Sequence, residues 1–463
     1  MLTVNHFIGM AITLLGVTVV SIFSLQKVES SADFILAGRK AGATLVAGTI
    51  LGTLLGGAST IGTAQLAYES GLSGIGFTLG GGLGCIILGL FFTKKLRGSE
   101  VETGPQFLAK TFGVKAGFLA SIFISLGTFI NVIGNTLAAI ALLTSILGLS
   151  PLIAMFLMVI LAAVHILCGG IWGSSLVGVL KVILLYIALI FSSVIAFSSI
   201  GGFSGLGSEL NIVPFYGVFE RGITNDLAAV LAVVIGFLST QTYLQAVFMG
   251  RDARVSRNGA IISGCLMIPV GLMATVVGLY MRGNYPNINS SQALPIFILE
   301  HFPPLLSGII LAILLVTVTA TIGGLTLGIS TTLSQDVYRK LINSEVSDRK
   351  ILLISRLLTL IIMLLNLGFV MTNLGSVIME WSYLSMTLRG TTMFLPLIAA
   401  VFFSSRVSSQ AGFWSVFLAP SISLGWAIIN GEGINPLYIG LVVGFLILGS
   451  SLLRSNKDSK IFS

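Results

Sequence analysis

Thirteen apolar runs, most of them about 20 residues or longer, fill this 463-residue chain and leave only short polar connections between them. A run of that length crosses a bilayer as a helix, because each backbone N–H and C=O is then satisfied inside its own segment. The runs fall near 4–25, 43–69, 73–93, 116–147, 151–172, 176–199, 227–249, 259–281, 305–334, 351–372, 375–403, 411–429 and 435–453. They predict an all-α membrane protein with about 13 transmembrane helices. A β-barrel would instead show short alternating segments of roughly ten residues. No Lys or Arg precedes the first run, so it reads as a span and not as a cleaved leader. Cys85, Cys168 and Cys265 all lie within apolar runs and form no CxxC pair, which points to packing and away from a disulfide framework or a zinc site.

Orientation follows from the 24 Lys and Arg residues, since basic residues are retained on the cytoplasmic side. With the N-terminus outside, 21 of the 24 fall in cytoplasmic loops, among them Lys27, Arg39, Lys40, Lys94, Lys95, Arg97, Lys181, Arg251, Arg254, Arg339, Lys340 and Arg454. Only Arg221 and Arg282 lie outside, and Arg389 lies within a span. The net charge of +8 is therefore explained by topology and calls for no nucleic acid. The longest external stretches, 200–226 and 282–304, are too short to bury a core. The chemistry belongs within the membrane of a multi-pass cell-membrane protein, external at its start and cytoplasmic at its end, and no obligate protein partner is indicated.

Two spans carry clustered small and polar residues that would leave backbone groups facing protein, ions or a cavity. Span two has Gly52, Gly56, Gly57 and Gly62 among Thr53, Ser59, Thr60 and Thr63. Span seven has Gly236 followed by Ser239, Thr240, Gln241, Thr242, Tyr243 and Gln245. The two spans run in opposite directions. If each begins a five-helix unit, spans two to six and seven to eleven form inverted repeats with a binding site between them. The chain then divides into a first helix and loop (1–42), a first repeat (43–200), an external loop (201–226), a second repeat (227–403) and two peripheral helices with a cytoplasmic tail (404–463). Packing faces of small residues are the alternative reading of both spans. Span nine adds hydroxyls at Thr317, Thr321 and Thr331, close to helical spacing.

Ionisable residues at membrane depth are costly and demand a reason. Arg389 reads either as an anchor or gate, or as a guanidinium held by backbone carbonyls beside Gly390 and Pro396. Glu380 and Glu69 suit an external vestibule. His165 reads as an interhelical bond or a proton carrier. Asn131 and Asn135, four apart on span four, place both amides on one side, as solute contacts or as interhelical glue. With Ser59, Thr60, Ser239, Gln241 and Tyr243, Asn131 makes up the candidate solute-binding set.

Several segments carry a resemblance. They are ADFILAGRKAG at 32–42, AYESGLS at 67–73, TYLQAVFMGRDAR at 242–254 and LSQDVYRK at 333–340, each beside the expected span and in the expected order. Together they resemble the sodium:solute symporter family. The resemblance implies a thirteen-helix fold with a five-plus-five inverted-repeat core, and sodium as coupling ion. It places that ion between backbone carbonyls of Gly52, Leu55 and Thr317 and the side chains of positions 320 and 321. Thr321 has the hydroxyl expected there; Ala320 has none, which keeps proton coupling open as an alternative.

The function expected is therefore secondary active transport: sodium-coupled symport of a small polar solute by alternating access. An ion channel would favour rings of charge or a repeated carbonyl filter, which this chain lacks. An enzyme is not expected, because His6, His165 and His301 lie far apart without nucleophile or metal-ligand partners.

Overall fold

The computed structural model describes residues 2–25, 36–202, 219–374, 376–429 and 433–461; within these, the side chains of 21–25, 163–174, 341 and 455–461 are not described. Lys27, His165, Cys168, most of the 201–226 loop and the tail residues Lys457 and Lys460 thus lie outside the described residues or side chains.

Helices α1 (Val4–Leu25), α2 (Ala43–Leu54), α3 (Thr63–Ser70), α4 (Gly76–Ile87), α5 (Thr93–Gly98), α6 (Gly104–Phe112), α7 (Val114–Leu147) and α8 (Pro151–Ser199) form the first half. The second half comprises α9 (Ile223–Leu238), α10 (Gln241–Met249), α11 (Ala253–Asn284), α12 (Ala293–His301), α13 (Pro304–Thr332), α14 (Asp348–Met371), α15 (Ile378–Phe402), α16 (Ser409–Ile429) and α17 (Pro436–Ile461). No strand forms among the described residues; one isolated bridge pairs Ala41 with Gly250. Nine described helices are long and apolar enough to cross a membrane, or ten if the bent pair α9 and α10 is one span. Three shorter apolar helices, Val4–Val20, Ala43–Leu54 and Pro151–Ala162, fall where the sequence also placed spans.

Helix α13 is the axis of the bundle. Every residue from Ile310 to Thr332 is buried. A helix with no polar face belongs inside a bundle, and α1, α7 and α8 pack around it. The outer helices turn large apolar side chains outward, as on α14 with Leu357, Ile361, Leu364 and Leu365 and on α17 with Val442, Phe445 and Leu446. That suits a lipid-facing rim.

The two spans expected at 151–172 and 176–199 lie within one element, α8, whose apolar stretches Pro151–Ala162 and Ser175–Ser199 are separate. One expectation needs correcting. Lys181, counted above among cytoplasmic loop residues, is inside the bundle and 1% exposed.

Candidate cation and solute site

Both interrupted spans are interrupted in the fold. Helix α2 stops at Leu54, Leu55 takes a non-helical conformation (φ −77°, ψ 87°), and the chain resumes through a wide turn at Ala58–Gly62 into α3. The amides released there find side chains: Gly56 N donates to Ser59 Oγ at 2.9 Å, and Gly57 N to Asn135 Oδ1 of α7, also at 2.9 Å. Ser59 and Thr60 both donate to Gly56 O, at 3.1 and 2.8 Å. In the second span α9 ends at Leu238, Ser239 and Thr240 leave the helix, and α10 departs at 43°. The Tyr243 ring stacks on Phe237 across that bend, with centroids 4.3 Å apart.

The oxygens expected to hold a cation converge at the first break, and a side chain already stands among them. Lys181 Nζ donates to Leu55 O at 2.8 Å, Thr317 O at 3.0 Å and Thr321 Oγ1 at 3.2 Å. Thr321 Oγ1 in turn lies 3.2 Å from Leu55 O and 3.4 Å from Gly52 O. An ammonium has three N–H donors, and all three find an acceptor here. None of the described ion pairs includes Lys181, so its charge faces neutral oxygens only. Ala320 stands apart from this polar group, buried in a small apolar cluster with Val17, Val177 and Val316.

Glycine explains how Lys181 arrives there. A Cβ on Gly178 would lie 2.2 Å from Gly48 O, and one on Gly48 would lie 2.4 Å from Val179 Cγ2, so α2 and α8 touch backbone to backbone. Thr49 and Ser175 hydroxyls, 2.5 Å apart, fasten the same contact. Lys181 lies one turn beyond Gly178, level with the break. Gly56 serves α13 likewise: a Cβ there would meet Thr321 Oγ1 at 2.8 Å.

Arg389, fully buried on α15, marks the second break. Its guanidinium donates to Thr240 Oγ1 (2.7 Å), Ser385 Oγ (2.8 Å) and Ser385 O (3.2 Å), and Ser385 Oγ donates to Gly127 O of α7. This is the arginine held by hydroxyls and carbonyls that the sequence left open, with Thr240 as a partner it did not foresee.

The remaining candidate residues separate into two groups. Asn131 Oδ1 accepts from Asn135 Nδ2 (3.2 Å) and Ser382 Oγ (3.4 Å), which places it beside the first break with Ser59 and Thr60. Gln241 turns away from them: its Oε1 accepts from Gly104 N at 2.9 Å and its Nε2 donates to Glu102 O at 3.4 Å. Ser239 donates to Ile235 O within its own helix. Gln241 thereby joins a lock around the start of α6, where Asp336, just beyond α13, accepts from Thr103 Oγ1 (2.7 Å), Gln106 Nε2 (2.8 Å) and Ser121 Oγ (3.3 Å). Arg39 bonds Glu100 O and Val101 O, and Arg97 bonds Gly250 O, at this same end. Glu102 is lifted above the usual carboxylate range by burial, against the pull of Arg339 and Arg39. A cavity of about 260 Å³, lined by Gln65, Glu69, Thr144, Ser290, Ser376 and Ile378, lies at the other end. Glu69 lines that cavity; Glu380 is exposed and outside the lining.

The sequence missed two features. Lys181 was legible as a charge six residues inside an apolar run, which by itself signals an interior role. Asp336 stood in the sequence only as part of the LSQDVYRK motif, which gives no sign of its partners Thr103, Gln106 and Ser121.

Comparison with known proteins gives one family. The sodium:solute symporter family matches residues 34–419. The osmoregulated proline transporter OpuE of Bacillus subtilis is 22% identical over 376 residues, covering 77% of this chain and 75% of that protein. The sodium/glucose cotransporter of Vibrio parahaemolyticus is 21% identical over 365 residues, covering 71% and 67%. Among solved structures, the substrate-bound outward-open state of a Na+-coupled sialic acid symporter superposes with a TM-score of 0.83 at 16% identity, over 98% of each chain.

Proposed function

We propose that this protein, which belongs to the sodium:solute symporter family, is a secondary transporter that carries a small polar solute into the cell by alternating exposure of one site within the membrane. Two broken helices in one bundle carry this reading. Backbone groups can be left open at membrane depth only where protein, ion or solute meets them. The proposal includes thirteen spans, a five-plus-five inverted repeat and an external N-terminus; the gathering of Arg39, Arg97, Lys110 and Arg339 at one end supports that orientation.

The solute enters through the cavity beside Glu69 and reaches the first break, where Ser59, Thr60 and Asn131 offer hydroxyl and amide groups. Ser239 and Tyr243 shape the second break, and Gln241 with Asp336 closes the way onward to the cytoplasm. Sodium is the coupling ion that the family and its sodium-named relatives support. A positive charge entering through 100 mV supplies about 2.3 kcal/mol, enough to concentrate a solute about 40-fold. Proton coupling is the second reading, favoured by the missing oxygen at Ala320.

The test is uptake by proteoliposomes of radiolabelled proline, glucose and sialic acid, each under an imposed sodium gradient, a proton gradient or neither. Accumulation above equilibrium that collapses with an ionophore is expected. Equilibration alone, unaffected by either gradient, would replace the symporter reading with a facilitated pore.

A further inference from the structure

Four of the five oxygens that the family resemblance assigns to sodium are present in this chain, the one at Ala320 being absent, and they do not fit a free sodium ion while Lys181 stays where it is. A metal ion between Leu55 O, Thr317 O and Thr321 Oγ1 and a lysine nitrogen within hydrogen-bond distance of the same three atoms require one and the same volume. We propose that Lys181 is the resident cation of this cage: its tethered nitrogen stands in for the sodium ion and keeps sodium out.

Three independent features agree. First, the donor count closes, with three N–H groups for three acceptors and no carboxylate partner in any described ion pair. A carboxylate partner would have made Lys181 half of a buried salt bridge; neutral carbonyls and a hydroxyl are what a bound monovalent cation prefers. Second, the approach is built into the backbone, because Gly48 and Gly178 permit a helix contact that a Cβ on either would prevent, and Lys181 follows Gly178 by one turn. Third, the oxygen absent at Ala320 is the one this arrangement does without. Ala320 fills an apolar cluster with Val177, which lies one turn before Lys181 on the same helix. Sodium wants about five oxygens around it, whereas an ammonium is satisfied by three. The missing hydroxyl at 320 and the ammonium at 181 fit one and the same arrangement.

This inference rests on the transporter reading only for what the cage would otherwise hold. Sodium that energises this chain would accordingly bind at other atoms.

The experiment uses the full-length protein purified in detergent, with sodium chloride compared against choline chloride as the probe. Thermal unfolding and 22Na+ binding are the readouts, for the wild type, Lys181→Met, Lys181→Met/Ala320→Ser and Thr321→Ala. Lys181→Met strips Leu55 O and Thr317 O of their donor, so its melting temperature should be low in choline and recover in sodium. The double variant should bind 22Na+ more tightly still, by about tenfold or more. In the wild type, Thr321→Ala should change neither the sodium response nor 22Na+ binding. Sodium binding by the wild type that Thr321→Ala weakens would overturn the proposal. So would a Lys181→Met protein that folds and gains no sodium response. If Lys181→Met fails to accumulate, Thr321→Ala decides alone. None of these readouts depends on solute transport, so an absence of uptake in proteoliposomes would count against the transporter reading and leave this one standing or falling by itself.

Discussion

Replacing Asp336 by Ala should unlatch the end of the bundle proposed to be cytoplasmic, and the structure sets the size of the effect. The Asp336 carboxylate is 5% exposed and accepts two short bonds, from Thr103 at 2.7 Å and Gln106 at 2.8 Å, besides a longer one from Ser121. Hydrogen bonds to a charged group contribute about 1.5–3 kcal/mol each, so the two short ones together hold the start of α6 with about 3–6 kcal/mol. At 1.4 kcal/mol per factor of ten, removing them moves the balance toward a detached α6 by about 10²–10⁴-fold. Hydrogen–deuterium exchange reads this directly: amides of α6 should exchange faster in Asp336→Ala, while those of α11, which shares no bond with Asp336, should stay as in the wild type. Asp336→Asn, which keeps one acceptor oxygen, should fall between the two. Unchanged protection of α6 would refute the latch. A loss spread equally over α6 and α11 would also refute it, since Asp336 would then hold the fold together and not one end of it.

Arg389→Lys keeps the charge but cannot reproduce the fork that reaches Thr240 and Ser385 together; a stability loss of about 2–4 kcal/mol should appear as a lower melting temperature in detergent. Glu102→Gln should stabilise the protein at neutral pH. Burial raises the folded-state pKa of Glu102, so the wild type loses stability as pH climbs from the ordinary carboxylate range through that raised value. Below that window both proteins are uncharged at this position, and their melting temperatures should converge; a constant difference across pH would exclude ionisation as the cause. A cysteine at Ser455 should react with an impermeant maleimide only after the membrane is opened, and labelling of intact cells from outside would reverse the proposed orientation.

Legibility followed the kind of signal. Apolar length is a local property, and the runs marked the helices within a few residues. The breaks were legible because clustered Gly, Ser and Thr weaken a helix wherever it sits, and both fell inside the marked stretches, at Leu55–Gly57 and at Ser239–Thr240. Partners were not legible. Gln241 resembled a solute contact because an amide at a break has an evident use, but its use here is the backbone of Glu102 and Gly104, some 137 residues earlier in the chain. Lys181 was misplaced for a similar reason: a lone lysine near the end of an apolar run counts equally well toward the cytoplasmic side. Its place inside the run signals an interior role, but the contact at Gly48 and Gly178 that sets its depth has no signature in either helix alone.

The two buried cations suggest why the breaks are stable in a membrane. Each break exposes oxygens that lipid cannot satisfy, and each is met by one cationic side chain: Lys181 at the first, on Leu55 O, and Arg389 at the second, on Thr240 Oγ1. On the proposed five-plus-five division, the second part of α8 is the fifth span of the first unit and α15 the fifth of the second, so each cation reaches back to the broken first span of its own unit. The glycine contacts correspond as well. Gly178 lies three residues before Lys181 and abuts Gly48 of α2; Gly390 lies one residue after Arg389 and would meet Ile235 and Gly236 of α9 if it carried a Cβ. The chemistry differs where the roles differ. Arg389 is tied to Ser385 on its own helix and, through that hydroxyl, to α7, which suits a fixed support. Lys181 bonds Leu55 at the end of α2 and Thr317 and Thr321 of α13, two helices that must part if the first break opens, and a single flexible amine can release both. A cation that arrives by diffusion in relatives with a free ion would here be carried on α8, and the movement of that helix against α2 would set when the cage is filled.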